Sequence, residues 1–168
     1  MKQSGAAHAC PPGGERPLTS SEVALARSVF GSAIDYEPVR IRRRKWFPFQ
    51  PRRMVMAPLG HLHFHPLSRA YCDDFALASL PLQGFFIHEM VHVWQVQKRG
   101  RWHLILNRMP WARYDYSLVP GRPLSHYGIE QQAEIVKHAF LLRKGASVAG
   151  VADAAVYEAL LDFGGERA

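Results

Sequence analysis

The amino-acid sequence predicts an α+β fold, a small sheet packed on two longer helices with flanking helices. Three observations carry this: a capped helix opening near residue 18, short alternating segments between residues 39 and 65, and two stretches of helical periodicity after residue 80. The order is helix, short strands, then helices. Regular alternation of strand and helix would instead point to a parallel α/β sheet.

Each element has its own signal. Thr19 and Glu22 form a capping-box pair, flanked by Leu18 and Val23 as a hydrophobic staple, so a helix starts here. It runs through Ala24, Ala26 and Val29 and stops near Gly31. Val39-Arg40-Ile41-Arg42 alternates and reads as a strand. Residues 53–57 and 60–65 read as a second strand or a hairpin, broken by Pro58. Helical periodicity then covers residues 81 to about 98. Residues 100–124, rich in Gly, Pro and aromatics, read as a long loop or irregular subdomain. Ser125 is placed to cap a helix over about 126–143, which Gly145 terminates. A last helix is expected over roughly 151–163. Residues 1–17, rich in Gly, Ala and Pro, read as a disordered tail, and 18–168 as a single domain.

Length and composition set outer bounds. The 168 residues are 48% hydrophobic and 21% charged, which fits one globular domain. No apolar run approaches the roughly 20 residues that span a bilayer. Lys and Arg total 21 against 14 Asp and Glu, a formal charge of +7 that admits acidic partners without selecting one. The two cysteines, Cys10 and Cys72, do not suggest a disulfide framework, and a reducing compartment is the simpler reading. Ala7-His8-Ala9-Cys10 resembles a lipoprotein cleavage site, but no hydrophobic segment precedes it. The expected location is therefore cytoplasmic, with export by a machine that needs no signal peptide as the alternative.

The chemistry is concentrated in Ile87-His88-Glu89-Met90-Val91-His92-Val93-Trp94-Gln95. Histidines at i and i+4 lie one turn apart on one helical face and can bind a single metal ion together. Glu89 projects beside them and can reach a metal-activated water without being a ligand. Zinc suits this set. Phe85, Phe86, Ile87, Val91, Val93 and Trp94 surround the polar trio, so the helix is expected to be central and buried. A chance match in such a helix would bury two imidazoles and a carboxylate without partners.

A catalytic zinc needs a third protein ligand. Gly100 and His103 do not fit the extended metzincin motif. Downstream, Ile129, Ala133, Val136 and Phe140 make an apolar stripe flanked by Glu130 and Glu134. One acid could bind the metal. The other could accept a ring N–H from His88 or His92 and fix its tautomer. Glu130 is the first choice as ligand and Glu134 the alternate, and small Ala133 would let the two helices approach closely.

His-Glu-x-x-His followed by Glu-x-x-Ala-acid resembles the gluzincin metallopeptidases. It is similar in particular to the short bacterial metallopeptidase domains found beside contractile injection systems and type VI secretion genes, the Vgr-related proteins. Their zinc helix continues as His-Val-x-Gln, matched by His92-Val93-Trp94-Gln95, and their second motif is matched by Glu130-Gln131-Gln132-Ala133-Glu134. The resemblance covers roughly residues 18–143. It implies a minigluzincin-like fold, Zn2+ held by His88, His92 and Glu130, Glu89 as general base, and a peptide or protein substrate. Glu134 stands where related gluzincins usually carry Asp.

Other constellations rank behind this one. His61, His63 and His65 alternate on one side of a strand; a cleft-lining or exposed strand is preferred to a second metal site, since no carboxylate lies nearby in sequence. Tyr114, Tyr116, Tyr127 and His126 lie between the two motifs, and Tyr116 is the favoured donor to an oxyanion. Arg40, Arg42, Arg43, Arg44, Lys45, Arg52 and Arg53 surround Trp46, Phe47 and Phe49. A solvated strand edge is preferred there to nucleic-acid or membrane binding.

The main expectation is a zinc hydrolase, a peptidase. The rival is a non-catalytic zinc-stabilised module that docks a secretion-apparatus or toxin partner, followed by nucleic-acid binding through residues 40–53.

Overall fold

The first helix opens on its capping box. In the computed structural model, which describes residues 9–100, 114–148, 150, 153–161 and 163, Thr19 Oγ1 accepts from the Glu22 N–H at 3.0 Å and Glu22 Oε2 accepts from the Thr19 N–H at 2.9 Å. Helix α1 runs Ser20–Phe30 and ends at Gly31, whose N–H returns to the Arg27 carbonyl. Leu18 is buried and Val23 packs against the core, the two sides of the staple.

Glu22 also holds the start of the described chain. Its carboxylate is fully buried. The Arg16 guanidinium grips both of its oxygens, at 2.7 and 2.8 Å, and the Phe75 N–H donates to Oε1 at 2.9 Å. Arg16 sits on strand β1, Glu15–Pro17, which pairs antiparallel with β2, Arg40–Arg42. Here the structure differs from the sequence expectation, which assigned residues 15–17 to a disordered tail. The Gly- and Pro-rich composition around them hides a strand whose stability comes from a buried ion pair and from a partner strand distant in sequence. Residues 1–8 lie outside the described residues.

The sheet has the order β1-β2-β3. Strand β3, Leu62–His63, runs parallel to β2, and Met56 bridges His63 from the other side. The expected strands over 53–57 and 60–65 thus contract to one short strand and one bridge. Pro58 lacks a donor, and the Gln50 side chain takes up part of the pairing by donating to the Met54 and His63 carbonyls at 2.8 and 3.0 Å. Buried Phe64, Phe75 and Phe86 stack in series in the core, with ring centroids 5.6 and 5.3 Å apart.

The two long helices are α2, Leu80–Arg99, and α3, Ile129–Arg143. Pro81 lies in the first turn of α2, where its missing N–H costs nothing. Ser125 was expected to cap α3 but lies in a 3-10 turn, Leu124–His126. Tyr127 is extended, and Gly128 takes the cap, its N–H donating to Gln131 Oε1 at 3.0 Å. The helices approach closely at Gly84, where an added Cβ would lie 3.0 Å from Leu141 Cδ2, and Ala133 is fully buried. The expected last helix, 151–163, is realised as α4, Ala154–Glu158, whose Tyr157 enters the core; residues 151, 152 and 162 lie outside the described residues. So do residues 101–113 of the expected irregular region; residues 114–119 form no helix or strand.

Candidate metal centre

Helix α2 presents His88, Glu89 and His92, and α3 presents Glu130; all four are buried. The Nε2 atoms of His88 and His92 lie 3.3 and 3.2 Å from one oxygen, Glu130 Oε2. One ligand atom from each of the three residues falls within 4.8 Å of the others. No other such group of His, Cys, Asp and Glu occurs among the described residues.

The hydrogen bonds behind the rings settle where the protons are. The Tyr127 carbonyl accepts from Gln132 Nε2 at 2.7 Å, so Gln132 Oε1 faces Gln95 Nε2, 3.0 Å away. Gln95 Nε2 also donates to the Ile129 carbonyl at 3.1 Å, which leaves Gln95 Oε1 to accept from His92 Nδ1 at 2.9 Å. His92 Nδ1 therefore carries the proton, and its Nε2 lone pair points at Glu130. His88 Nδ1 lies 2.9 Å from Glu134 Oε1, a carboxylate that only accepts, so Nδ1 is protonated there as well. Lys137 holds Glu134 at 2.6 Å.

With both rings neutral, two imidazole lone pairs converge on a carboxylate oxygen, three acceptors with no donor between them. Such a cluster is repulsive unless a proton or cation occupies it. The same demand shows in His88. Burial alone would lower its pKa, but Glu130, Glu134 and Glu89 outweigh burial and push it up to about 9. The donor set suits zinc: ligand bonds of roughly 2.0–2.1 Å in a tetrahedron set neighbouring donor atoms about 3.3 Å apart. Glu89 supplies a further sign, since its Oε2 is buried with no hydrogen-bond partner among the described residues.

The centre opens on a cleft of about 570 Å3, which His88, Glu89 and Glu134 line. Its walls are largely apolar, formed by Met54, Val55, Phe85 and Leu141, with Arg53 and Lys137 as cations.

No protein-family model matches the chain. The chain is 44% identical over 133 residues to the type VI secretion system spike protein VgrG2b of Pseudomonas aeruginosa, a match covering 75% of this chain but 13% of the spike protein. Among solved structures, the effector domain of Pseudomonas aeruginosa VgrG2b superposes with a TM-score of 0.69 at 38% identity, covering 93% of this chain and 86% of that one. This chain belongs to the VgrG2b effector-domain family. The shared α+β fold extends over nearly the whole chain.

Other expected residues of this effector-family domain sit elsewhere. Tyr116 does not line the cleft: its hydroxyl is bonded to His138 Nδ1 and, at 2.8 Å, to the Tyr157 hydroxyl. Burial, with Tyr157 beside it, raises the Tyr116 pKa. The phenol in the cleft is Tyr114, its ring stacked on His88 with centroids 6.5 Å apart. The Tyr127 hydroxyl accepts from the Val119 N–H at 3.0 Å, and His126 is exposed. His61, His63 and His65 do not line the cleft either. His63 is buried against Trp46, where an exposed or cleft-lining strand was expected, and His65 Nδ1 caps a turn by accepting from the Leu67 N–H at 3.0 Å. Sequence reading gave no role to Gln95, Gln132 or His138. Gln95 lay one turn past His92, a spacing that could have signalled its contact.

Proposed function

We propose that this domain is a zinc-dependent hydrolase of peptide bonds, with residues 18–168 forming one metallopeptidase-like unit of gluzincin, minigluzincin-like arrangement. The observation that carries it is the convergence of His88 Nε2, His92 Nε2 and Glu130 Oε2 beside Glu89, which lines a cleft and whose Oε2 is buried without a hydrogen-bond partner among the described residues. His88, His92 and Glu130 would hold the ion. Zinc, when bound, supplies a Lewis acid that makes water acidic and a carbonyl electrophilic at neutral pH. Glu89 accepts the proton of the attacking water at its cleft-side oxygen and returns it to the leaving amine. Glu134 and Gln95 keep the proton of each ring on Nδ1, so that both Nε2 atoms stay available. The apolar walls take up the side chains of an extended substrate and exclude competing water.

Glu89→Gln separates this chemistry from structure. Gln is nearly isosteric and cannot take the proton, so zinc content and melting temperature should match wild type. Cleavage of a broad peptide library, read by mass spectrometry, should fall by roughly two to four orders of magnitude. Equal cleavage by both proteins would overturn the role of Glu89.

A second reading is favoured by the relationship to an effector domain of a type VI secretion spike protein. In that reading the centre is a structural zinc site in a secretion-associated module that docks a partner. Full zinc occupancy with a protein group closing the fourth position, and no cleavage by either protein, would select it. The relationship to an effector domain of a type VI secretion spike protein supports export by a route that needs no signal peptide. No helix among the described residues is long and apolar enough to cross a membrane.

A further inference from the structure

Between Glu37 and Asp73 the sequence has no acidic residue, yet it carries Arg40, Arg42, Arg43, Arg44, Lys45, Arg52, Arg53 and Arg69. Six of these cations, Arg42 to Lys45 with Arg52 and Arg53, fall into two groups. Arg42 and Arg44 are neutralised by Glu15 at 3.0 and 2.9 Å, and Arg43 turns inward to the Cys10 and Pro66 carbonyls. Lys45, Arg52 and Arg53 are exposed and form no ion pair among the described residues.

These three belong to a turn that also exposes large apolar groups: Phe49 is 89% exposed, Met54 41% and Trp46 39%. The turn is built to hold them out. Gln50, at its centre, is 3% exposed; its Oε1 accepts from the Trp46 N–H at 2.7 Å and its Nε2 donates to the Met54 and His63 carbonyls. An internal clamp therefore fixes an apolar tip in water, at a hydrophobic cost that folding alone does not recover. Pro51, Arg53, Met54 and Val55 of the same segment form one wall of the cleft.

We propose that residues 44–54 dock the domain onto an anionic phospholipid surface, with Phe49 entering the acyl boundary and Lys45, Arg52 and Arg53 meeting the headgroups. An exposed aromatic flanked by unpaired cations is the chemistry of interfacial anchoring. Single-stranded nucleic acid fits less well. Met54 offers no ring face to a base, and Trp46 is packed edge-on against His63 with centroids 5.2 Å apart. Docking through this turn would bring the cleft wall to the bilayer surface and favour substrates held there.

The test uses the whole chain and co-sedimentation with vesicles of phosphatidylcholine alone or mixed with phosphatidylglycerol. Binding is expected to the mixed vesicles only. Phe49→Ser should weaken it about tenfold or more, the loss of one buried aromatic, and Arg52→Gln roughly fivefold. Both positions are exposed and outside the cleft, so zinc content should not change, which keeps this result separate from the hydrolase reading. Failure to bind mixed vesicles would overturn the proposal, and so would binding that Phe49→Ser leaves intact. Tighter binding to an oligothymidine strand, with the same dependence on Phe49, would overturn it in favour of nucleic acid.

Discussion

Glu130 Oε2 is the atom on which both histidines converge, and substitutions around it should sort by distance from it. Glu130→Gln removes the charge that the two imidazoles face. Glu134→Gln and Gln95→Leu leave that oxygen in place and remove the group that orients one ring. In a competition against a calibrated chelator, the latter two should each lose about 10- to 100-fold in zinc affinity, and Glu130→Gln more. A larger loss in Glu134→Gln would move the third ligand to that residue. The two tyrosines should separate as well. Tyr114→Phe should lower turnover with zinc retained, because it keeps the ring against His88 and removes the phenol hydroxyl of a residue that lines the cleft. Tyr116→Phe should leave turnover and cost about 1 kcal/mol of stability, the worth of a hydrogen bond. At this scale the sequence was readable where chemistry repeats at helical spacing: His88, Glu89 and His92 stand together because one turn of helix puts them there. It was least readable at Tyr116. Closeness in sequence to the glutamate helix does not tell which way a side chain turns in an irregular segment, and the His138–Tyr157 pair that holds this hydroxyl comes from two other elements.

Among the elements, α1 and β1 depend on each other through Glu22. Its carboxylate caps the helix, pairs with Arg16 and holds the turn at Phe75. Breaking such a pair strands a buried guanidinium. Glu22→Gln should therefore cost about 3–5 kcal/mol, read as a lower urea midpoint. The joint change Arg16→Met with Glu22→Leu should recover most of the pairing loss, though not the cap. A single variant as stable as wild type would show that the pair is not buried in solution. The capping box was legible because its partners are three residues apart. Strand β1 was not, because its register, Glu15 opposite Arg42, is set by residues far along the chain. The shift of the α3 cap from Ser125 to Gly128 has a similar cause: Tyr127, buried and extended, ends the preceding turn.

Across the whole molecule, acid should act through His63. Burial, reinforced by the Arg42 guanidinium, holds its pKa down at about 4, from an ordinary value of 6.5. The folded state thus favours neutral His63. Its contribution to stability is complete above pH 6.5 and is lost as pH falls toward 4. The urea midpoint of wild type should drop between pH 7 and pH 5, and His63→Leu, which keeps the packing against Trp46, should drop less. Equal drops would assign the acid sensitivity elsewhere. The α+β architecture itself was readable from the order of periodicities, whereas the small size of the sheet was not, since side chains such as Gln50 stand in for strand partners. The strand Glu15–Pro17 carries one further consequence, a mechanical one. A load applied to the chain before residue 9 reaches the three paired residues of β1 and the buried grip of Arg16 on Glu22 before it reaches α2 or α3. The region that faces a pull from upstream is therefore the edge of the sheet, and the helices that carry the histidines and Glu130 come later along the chain.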